Sequence, residues 1–440
     1  MTAQCGPRPS ASSTGCSRCR PASRPASAGS HDASDRRHWD RGARDPAGRG
    51  AIHPMREGFE FIDTDHHVGP NMETLHKYAD QALLDHWEEL VPYYMKVTEG
   101  HHLSVAPIPY RRDLYTGTDA QQTEVGQRGA QGPLGSAVKH NFDTKPVPEV
   151  NNENNQGRLD DMDTEGVDIA LIFPSTFSTA STALDPEIQT GLYAAYHRYL
   201  DIYCSLDTDR LKAALVLNAR DPEWSKNELE SLAGRPWVAA VSVMLPEGLP
   251  IDDPSLDGIW ALMNEADLPL VHHSFFYEPP YFPGYRDIWG NLAIARMAAH
   301  PWGAQRLVAY VTLSGMFDRY PNLRIGFAEC SGGWVGAWLN RMTYQADYLA
   351  SKLPTIAKTP IEYAQDGHIF CGIELDEGPE AVKAVAAVVG DGILMYSSDY
   401  PHGGCRFPNS VDVALKWRDE LGDDTFRKIA SENARRFLRM

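Results

Sequence analysis

Eight short apolar runs, separated by longer stretches of helical pattern, predict an α/β fold of the (β/α)8 type, a TIM barrel. Three observations carry this. The runs are nearly continuous in apolar residues, as strands buried on both faces of a parallel sheet require. The stretches between them are amphipathic. The strand-then-helix order repeats from residue 59 to the C-terminus. A doubly wound open sheet is the alternative architecture.

In chain order the strands are expected at 59–65 (FEFIDTD), 167–173 (VDIALIF), 212–218 (KAALVLN) and 237–243 (WVAAVSV). The remaining four are expected at 268–273 (LPLVHH), 323–329 (LRIGFAE), 367–373 (GHIFCGI) and 393–397 (ILMYS). Amphipathic stretches at 185–205, 222–233, 254–266, 334–349, 377–389 and 423–437 supply helices. The connection after the first strand is far longer than an ordinary βα loop. Its helical pattern (72–96) and polar, Gly- and Asn-rich part (115–158) read as an insertion over 68–158, an excursion across the barrel mouth.

Residues 1–54 stand apart, with nine Arg, no Lys, eight Ser and only Met1, Trp39 and Ile52 as large apolar side chains. Such a stretch cannot offset its ordering entropy, so a disordered leader is expected, with Met55 as the physiological start and 55–440 as the folded barrel. Cys16 and Cys19 form a CxxC with no second pair at zinc-site spacing, a chance pairing.

Across 440 residues, 42% are hydrophobic, too many for a disordered chain. The net charge of −18 argues against a nucleic-acid binder, and no run approaches the ~18 apolar residues of a membrane span. Seven cysteines make no disulfide scaffold. A cytoplasmic protein without nucleic-acid or membrane partners, acting on a small molecule, is the expectation.

The informative residues sit at strand ends, where a barrel carries its chemistry. The first strand ends in Asp63-Thr64-Asp65-His66-His67, the fifth in His272-His273, the sixth in Glu329, and the eighth runs into Asp399. Alternation places Asp63, Asp65 and His67 on one face and His66 on the other. Two histidines with two or three carboxylates at one mouth form a metal-ligand set. Plainer roles exist: a strand-end His as a satisfied polar group, Asp399 as a helix cap, Glu329 as an acceptor for loop amides. The convergence of four strand ends outweighs them.

These stretches give the chain a resemblance to a known family. FIDTDHH (61–67), RLDDMDTEGVDIALIFPS (158–175), ADLPLVHHS (266–274), FDRYPNLRIGFAECSGGWVGAWLNRM (317–342) and ILMYSSDYPHGG (393–404) resemble the amidohydrolase superfamily. Within it the likeness is to the amidohydrolase-related (amidohydrolase 2) branch, which includes the aminocarboxymuconate-semialdehyde decarboxylase-like enzymes. It covers residues 59 to 437 and implies a distorted barrel with a mononuclear metal site and a homodimer. Carried over, the family's HxH pair falls on Asp65 and His67, the first His being replaced. The fifth-strand ligand falls on His273, with His272 facing the wall, and the eighth-strand Asp falls on Asp399. The sixth-strand acid–base His falls on Glu329, a second replacement, which leaves Glu329 as base or further ligand. No lysine stands in 237–243 to bridge two metals.

One divalent metal is implied, zinc first, with manganese or iron(II) as alternatives that gain weight from the oxygen-rich set. The leading expectation is a hydrolase that directs a metal-activated water at a C–N or C–O bond of a carboxylate-bearing substrate. Non-oxidative decarboxylation of an aromatic or enoic acid is the alternative, and hydration of a double bond a third. An inactive barrel with a binding role is the reading of another class, although both replacements keep metal-binding or proton-transfer groups in place. Arg111, Arg112, His402 and Arg406 are candidates for the substrate carboxylate. Trp334 and Trp338 read as core, His101 and His102 as minor candidates for the mouth, and Gly332-Gly333 as a weak phosphate cradle.

Overall fold

All eight expected strands form, in the expected order. The computed structural model describes residues 55–97, 100–103, 154–174, 177–246, 248–273, 292–402 and 405–440. The barrel strands are β1 (Ile62–Val68), β4 (Ile169–Pro174), β5 (Leu211–Asn218), β6 (Val238–Met244), β7 (Leu270–His273), β8 (Ile325–Ala328), β9 (Ile369–Glu374) and β10 (Leu394–Ser397). Two further strands, β2 (Tyr94–Val97) and β3 (Gly100–Leu103), make a separate antiparallel pair. The eight-stranded sheet runs β1-β4-β5-β6-β7-β8-β9-β10, with every neighbouring pair parallel. It closes near the mouth, where His66 bridges Tyr400 and the His67 N–H donates to the Tyr400 carbonyl at 2.7 Å. The Thr64 hydroxyl adds a bond of 2.9 Å to the Tyr396 carbonyl. An open doubly wound sheet, with two free edges and a reversal of strand order, is thereby excluded.

Alternation sorts the strand residues into two layers. Ile62, Leu171, Phe173, Val271, Ala328, Phe370 and Met395 form an inner cluster. Phe61, Ile172, Leu215, Val241, Ile325 and Phe327 join the larger core under the helices. The terminal helix Asn433–Leu438 closes the end of the barrel opposite the mouth: Phe437 enters the inner cluster, and Arg324, just ahead of β8, donates to its carbonyl at 2.9 Å. Gly326 lies against that ring, and a β-carbon there would stand 2.4 Å from Phe437 Cζ, so no larger residue fits without displacing the ring.

The helical reading of 72–96 fails in its second half. Helices span Met72–Tyr78 and Gln81–Asp85, followed by two 3-10 turns and then β2. Asp80 caps a new helix by accepting from the Leu83 N–H, which breaks the pattern. Pro92 denies a helix its N–H, and Tyr93, Tyr94 and Val97 suit a strand. The first strand also begins later than expected, at Ile62, and runs on to Val68. Residues 1–54 and 104–153 lie outside the described residues, and with them the expected leader, Arg111, Arg112 and most of the polar part of the excursion. Among the described residues, no helix is long and apolar enough to cross a membrane, and Cys204, Cys330, Cys371 and Cys405 are buried.

Candidate metal centre

The first strand does not keep simple alternation. Its register with β4 skips one residue between Asp63 and His66, a bulge. Asp63 therefore does not stand with Asp65 and His67: its Oδ1 accepts from the amides of Asp65 (3.1 Å) and Ser398 (3.0 Å), and its Oδ2 meets His66 Nε2 at 3.1 Å. Asp65 and His67 face the mouth together, joined by His273 from the end of β7. His272 points outward onto Phe327, ring centroids 6.1 Å apart.

Two carboxylates are brought in by backbone turns. Ala328 belongs to the inner layer, so plain alternation sends residue 329 outward with Ile325 and Phe327. Instead Glu329 takes a left-handed conformation (φ 47°), and Asp399 does the same after β10 (φ 61°). For residues other than glycine this costs about 1–3 kcal/mol each, and such strain collects at functional sites.

The resulting geometry is tight. His67 Nε2 lies 2.9 Å from His273 Nε2, and Asp65 Oδ1 lies 3.2 Å from the first and 3.3 Å from the second. Asp399 Oδ1 is 3.4 Å from His67 Nε2, and Glu329 Oε2 is 3.4 Å from His273 Nε2. His402 Nδ1 stands 2.7 Å from Asp399 Oδ1, its ring 4.0 Å from that of His67. Asp65, His67 and His273 form one potential ligand group, and His67, Glu329, Asp399 and His402 a second that shares His67.

Electrostatics point to a missing positive charge. Burial pushes the Asp65 carboxyl up, but the imidazoles of His273 and His67 more than offset this and hold it well below the usual carboxylate range. Burial likewise raises Asp399, while His402 and His67 bring it down to about 2. Burial opposes charge on His67, yet Asp399 and Asp65 lift its pKa to about 10. His273 is lowered, burial outweighing its attraction to Asp65. A proton on His67 offsets only one of the two carboxylate charges, and the cluster stays net negative.

A divalent cation fits the same place. Asp65 Oδ1 is fully buried without a well-formed hydrogen bond. The two Nε2 atoms and Asp65 Oδ1 are spaced 2.9 to 3.3 Å apart. Neighbouring ligands on an ion with bonds of ~2.1 Å have roughly this spacing.

The other expected residues divide. Arg406 is ion-paired to Asp376 beyond β9, and its side chain is 18% exposed. His101 pairs with Glu73 at 2.6 Å and stacks on Tyr94. Trp334 and Trp338 donate to backbone carbonyls of Cys330, Ser331 and Gln305 and pack on the core. The amides of Gly332 and Gly333 are both taken by Glu377, so they form no phosphate cradle.

Two residues escaped the sequence reading. Glu374 ends β9, and its Oε1 accepts the Ser331 amide at 2.9 Å; burial, reinforced by Glu377, Asp399 and Asp65, raises its pKa to about 7. The rule that selects an acidic residue at a strand end would have found it, one residue beyond the expected end of the seventh strand. Arg158 is wholly buried beside His66, with no signal of that in its local sequence.

Solved structures share this architecture. An amidohydrolase from Mycobacterium avium subsp. paratuberculosis superposes with a TM-score of 0.64 at 19% identity, covering 87% of this chain and 99% of that one. A 5-carboxyvanillate decarboxylase from Novosphingobium aromaticivorans, with bound manganese and 3-methoxy-4-hydroxy-5-nitrobenzoic acid, gives 0.60 at 18%, covering 88% and 98%. A 2,6-dihydroxybenzoate decarboxylase from Rhizobium gives 0.54 at 16%, covering 87% and 99%. At such identities the likeness concerns the fold. No protein of curated function matches by sequence. The amidohydrolase family model, however, matches from residue 62 to residue 440, through the whole barrel, and the chain belongs to that family.

Proposed function

We propose that the chain is a metal-dependent, non-oxidative decarboxylase of a small hydroxylated aromatic carboxylic acid. The observation that carries this is a His–His–carboxylate donor group sharing one barrel mouth with a separate buried carboxyl, Glu374, held near neutrality at about 7. The similar structures that release CO2 from carboxyvanillate and dihydroxybenzoate support it, as does the manganese bound in one of them.

Asp65, His67, His273 and Asp399 would hold the ion. Two imidazoles with two carboxylates suit manganese, with zinc and iron(II) behind it. Once bound, the ion supplies positive charge that anchors and polarises the substrate's oxygens. The ring carbon that carries the carboxylate must gain a proton as the C–C bond breaks. CO2 leaves, the bonding pair stays on the ring carbon and takes that proton, and no oxidant is needed. Glu374 remains partly protonated around neutral pH and is the candidate donor, with Glu329 beside His273 as the group nearest the donor cluster. His402 and Arg406 would steer the substrate's anionic groups, Arg406 sharing its charge with Asp376. Arg111 and Arg112 remain candidates for the same task, and a cytoplasmic homodimer is the assembly we propose.

Hydrolysis is the second reading. Asp399 is ionised, held low by His402 and His67, and could take a proton only from a water that a bound metal would acidify. The test is to strip the chain of metal, reload it with Mn(II) or Zn(II), and offer hydroxybenzoates beside lactones and esters. Decarboxylation predicts CO2 release, one deuterium from D2O on the vacated ring carbon, and loss of turnover in His273→Ala. Ester or lactone cleavage without any CO2 release would shift the assignment to hydrolysis.

A further inference from the structure

The helix Asn155–Glu165 presents charged residues at i, i+3 and i+7, Arg158, Asp161 and Glu165, all buried against the barrel. A buried face of this kind is costly unless each group is satisfied, so its bonds show what it holds. Arginine only donates hydrogen bonds. Arg158 Nε donates to Tyr203 Oη at 2.8 Å, Nη1 to His66 Nδ1 at 3.0 Å, and Nη2 to the His67 carbonyl. His66 Nδ1 must therefore accept, which leaves the ring proton on Nε2, donated to Asp63 Oδ2 at 3.1 Å. Asp63 Oδ1 then accepts the amides of Asp65 and Ser398. The chain of bonds fixes the far oxygen of Asp63 on the backbone beside Asp65 and beside Asp399.

We propose that Arg158 is a positioning residue of the metal centre, locking the bulged end of β1 and the segment carrying Asp399 into one ligand geometry. The bulge needs such a hold. The β1–β4 register skips between Asp63 and His66, so Thr64 and Asp65 are tied instead by the Tyr396 carbonyl and the Asp63 carboxylate. The second segment is gripped by the same helix face. Tyr400 stacks on His66 with centroids 4.8 Å apart, the Arg158 guanidinium lies 5.3 Å from its ring centroid, and its hydroxyl donates to Asp161. Glu165 accepts the amides of Ser410 and Val411 further along. Partners that orient ligands in this way commonly change metal affinity by about 10- to 100-fold when removed.

This rests on reading the cluster as a metal centre, and the experiment separates the two. Mn(II) is titrated calorimetrically into metal-free full-length chain, with thermal unfolding measured in parallel. The variants are Arg158→Lys, Tyr400→Phe and, as a control, Arg324→Lys, a buried arginine at the opposite end of the barrel. Folded Arg158→Lys is expected to bind about 10- to 100-fold more weakly. Tyr400→Phe should lose several-fold, and Arg324→Lys should lose stability with its Mn(II) affinity kept. Should Arg158→Lys not fold, Tyr400→Phe decides, and unchanged affinity there overturns the inference. Parent-like affinity in folded Arg158→Lys overturns it too, as does an equal loss in Arg324→Lys. A parent chain that takes up no metal overturns the metal-dependent reading itself, and this inference with it.

Discussion

Glu374 is the residue on which the proposed chemistry turns. Glu374→Gln keeps an acceptor for the Ser331 amide and removes the transferable proton. It should lower kcat by about 10²- to 10⁴-fold and leave metal content unchanged, read by CO2 release and elemental analysis. The pH dependence has a definite sign: the carboxyl donates only while protonated, so the parent's rate should fall as pH rises through about 7. A parent-like rate in the variant would assign the proton to another group. The meeting of Asp65, His67, His273 and Asp399 at one mouth was legible because each stands at or just past a strand end. Asp63 was misplaced, since a one-residue bulge cannot be seen in an apolar–polar pattern. The left-handed turn that swings Glu329 inward was equally hidden, because nothing local marks φ > 0 at a glutamate. Arg158 was invisible for another reason: a charged residue on a helix reads as solvated until the partners that bury it are known.

At the scale of elements, each barrel strand was legible from its continuous apolar run, which two buried faces demand. The helical start after β1 was legible too, but its break at Asp80 and the turns and strand around the proline at 92 were not, because periodicity alone would continue the pattern. The floor of the barrel was also beyond reach, since it depends on one glycine in β8 meeting one phenylalanine from a helix far along the chain. That contact makes a prediction. Phe437→Ala leaves a cavity in the inner layer and should cost about 3–5 kcal/mol, read as a lower denaturant midpoint with an unchanged slope. Metal affinity should be retained in the folded variant, because the proposed ligands sit at the other end of the strands. A loss of affinity matching the loss of stability would mean that the floor and the mouth are mechanically one unit.

For the molecule as a whole, buried carboxyls set how stability changes with pH. Glu165 is 4% exposed, and its pKa is raised to about 7, chiefly by burial and against the amides it accepts. A carboxyl raised on folding binds its proton more tightly in the folded chain than in the unfolded one. Its contribution is therefore full below the unfolded value of 4.5 and is lost as pH rises to about 7. The loss approaches ~3 kcal/mol at most, from the free energy of a pKa shift. Glu165→Gln mimics the protonated side chain and removes that dependence. The melting temperatures of parent and variant should agree near pH 4.5 and diverge as pH rises towards 8, with the variant the more stable. Glu374, likewise raised to about 7, titrates in the same window, but it does so in both proteins and cancels in the comparison. A gap that stays constant across the range would show Glu165 to be ionised in the folded chain, held by the helix amides it accepts more strongly than burial opposes it.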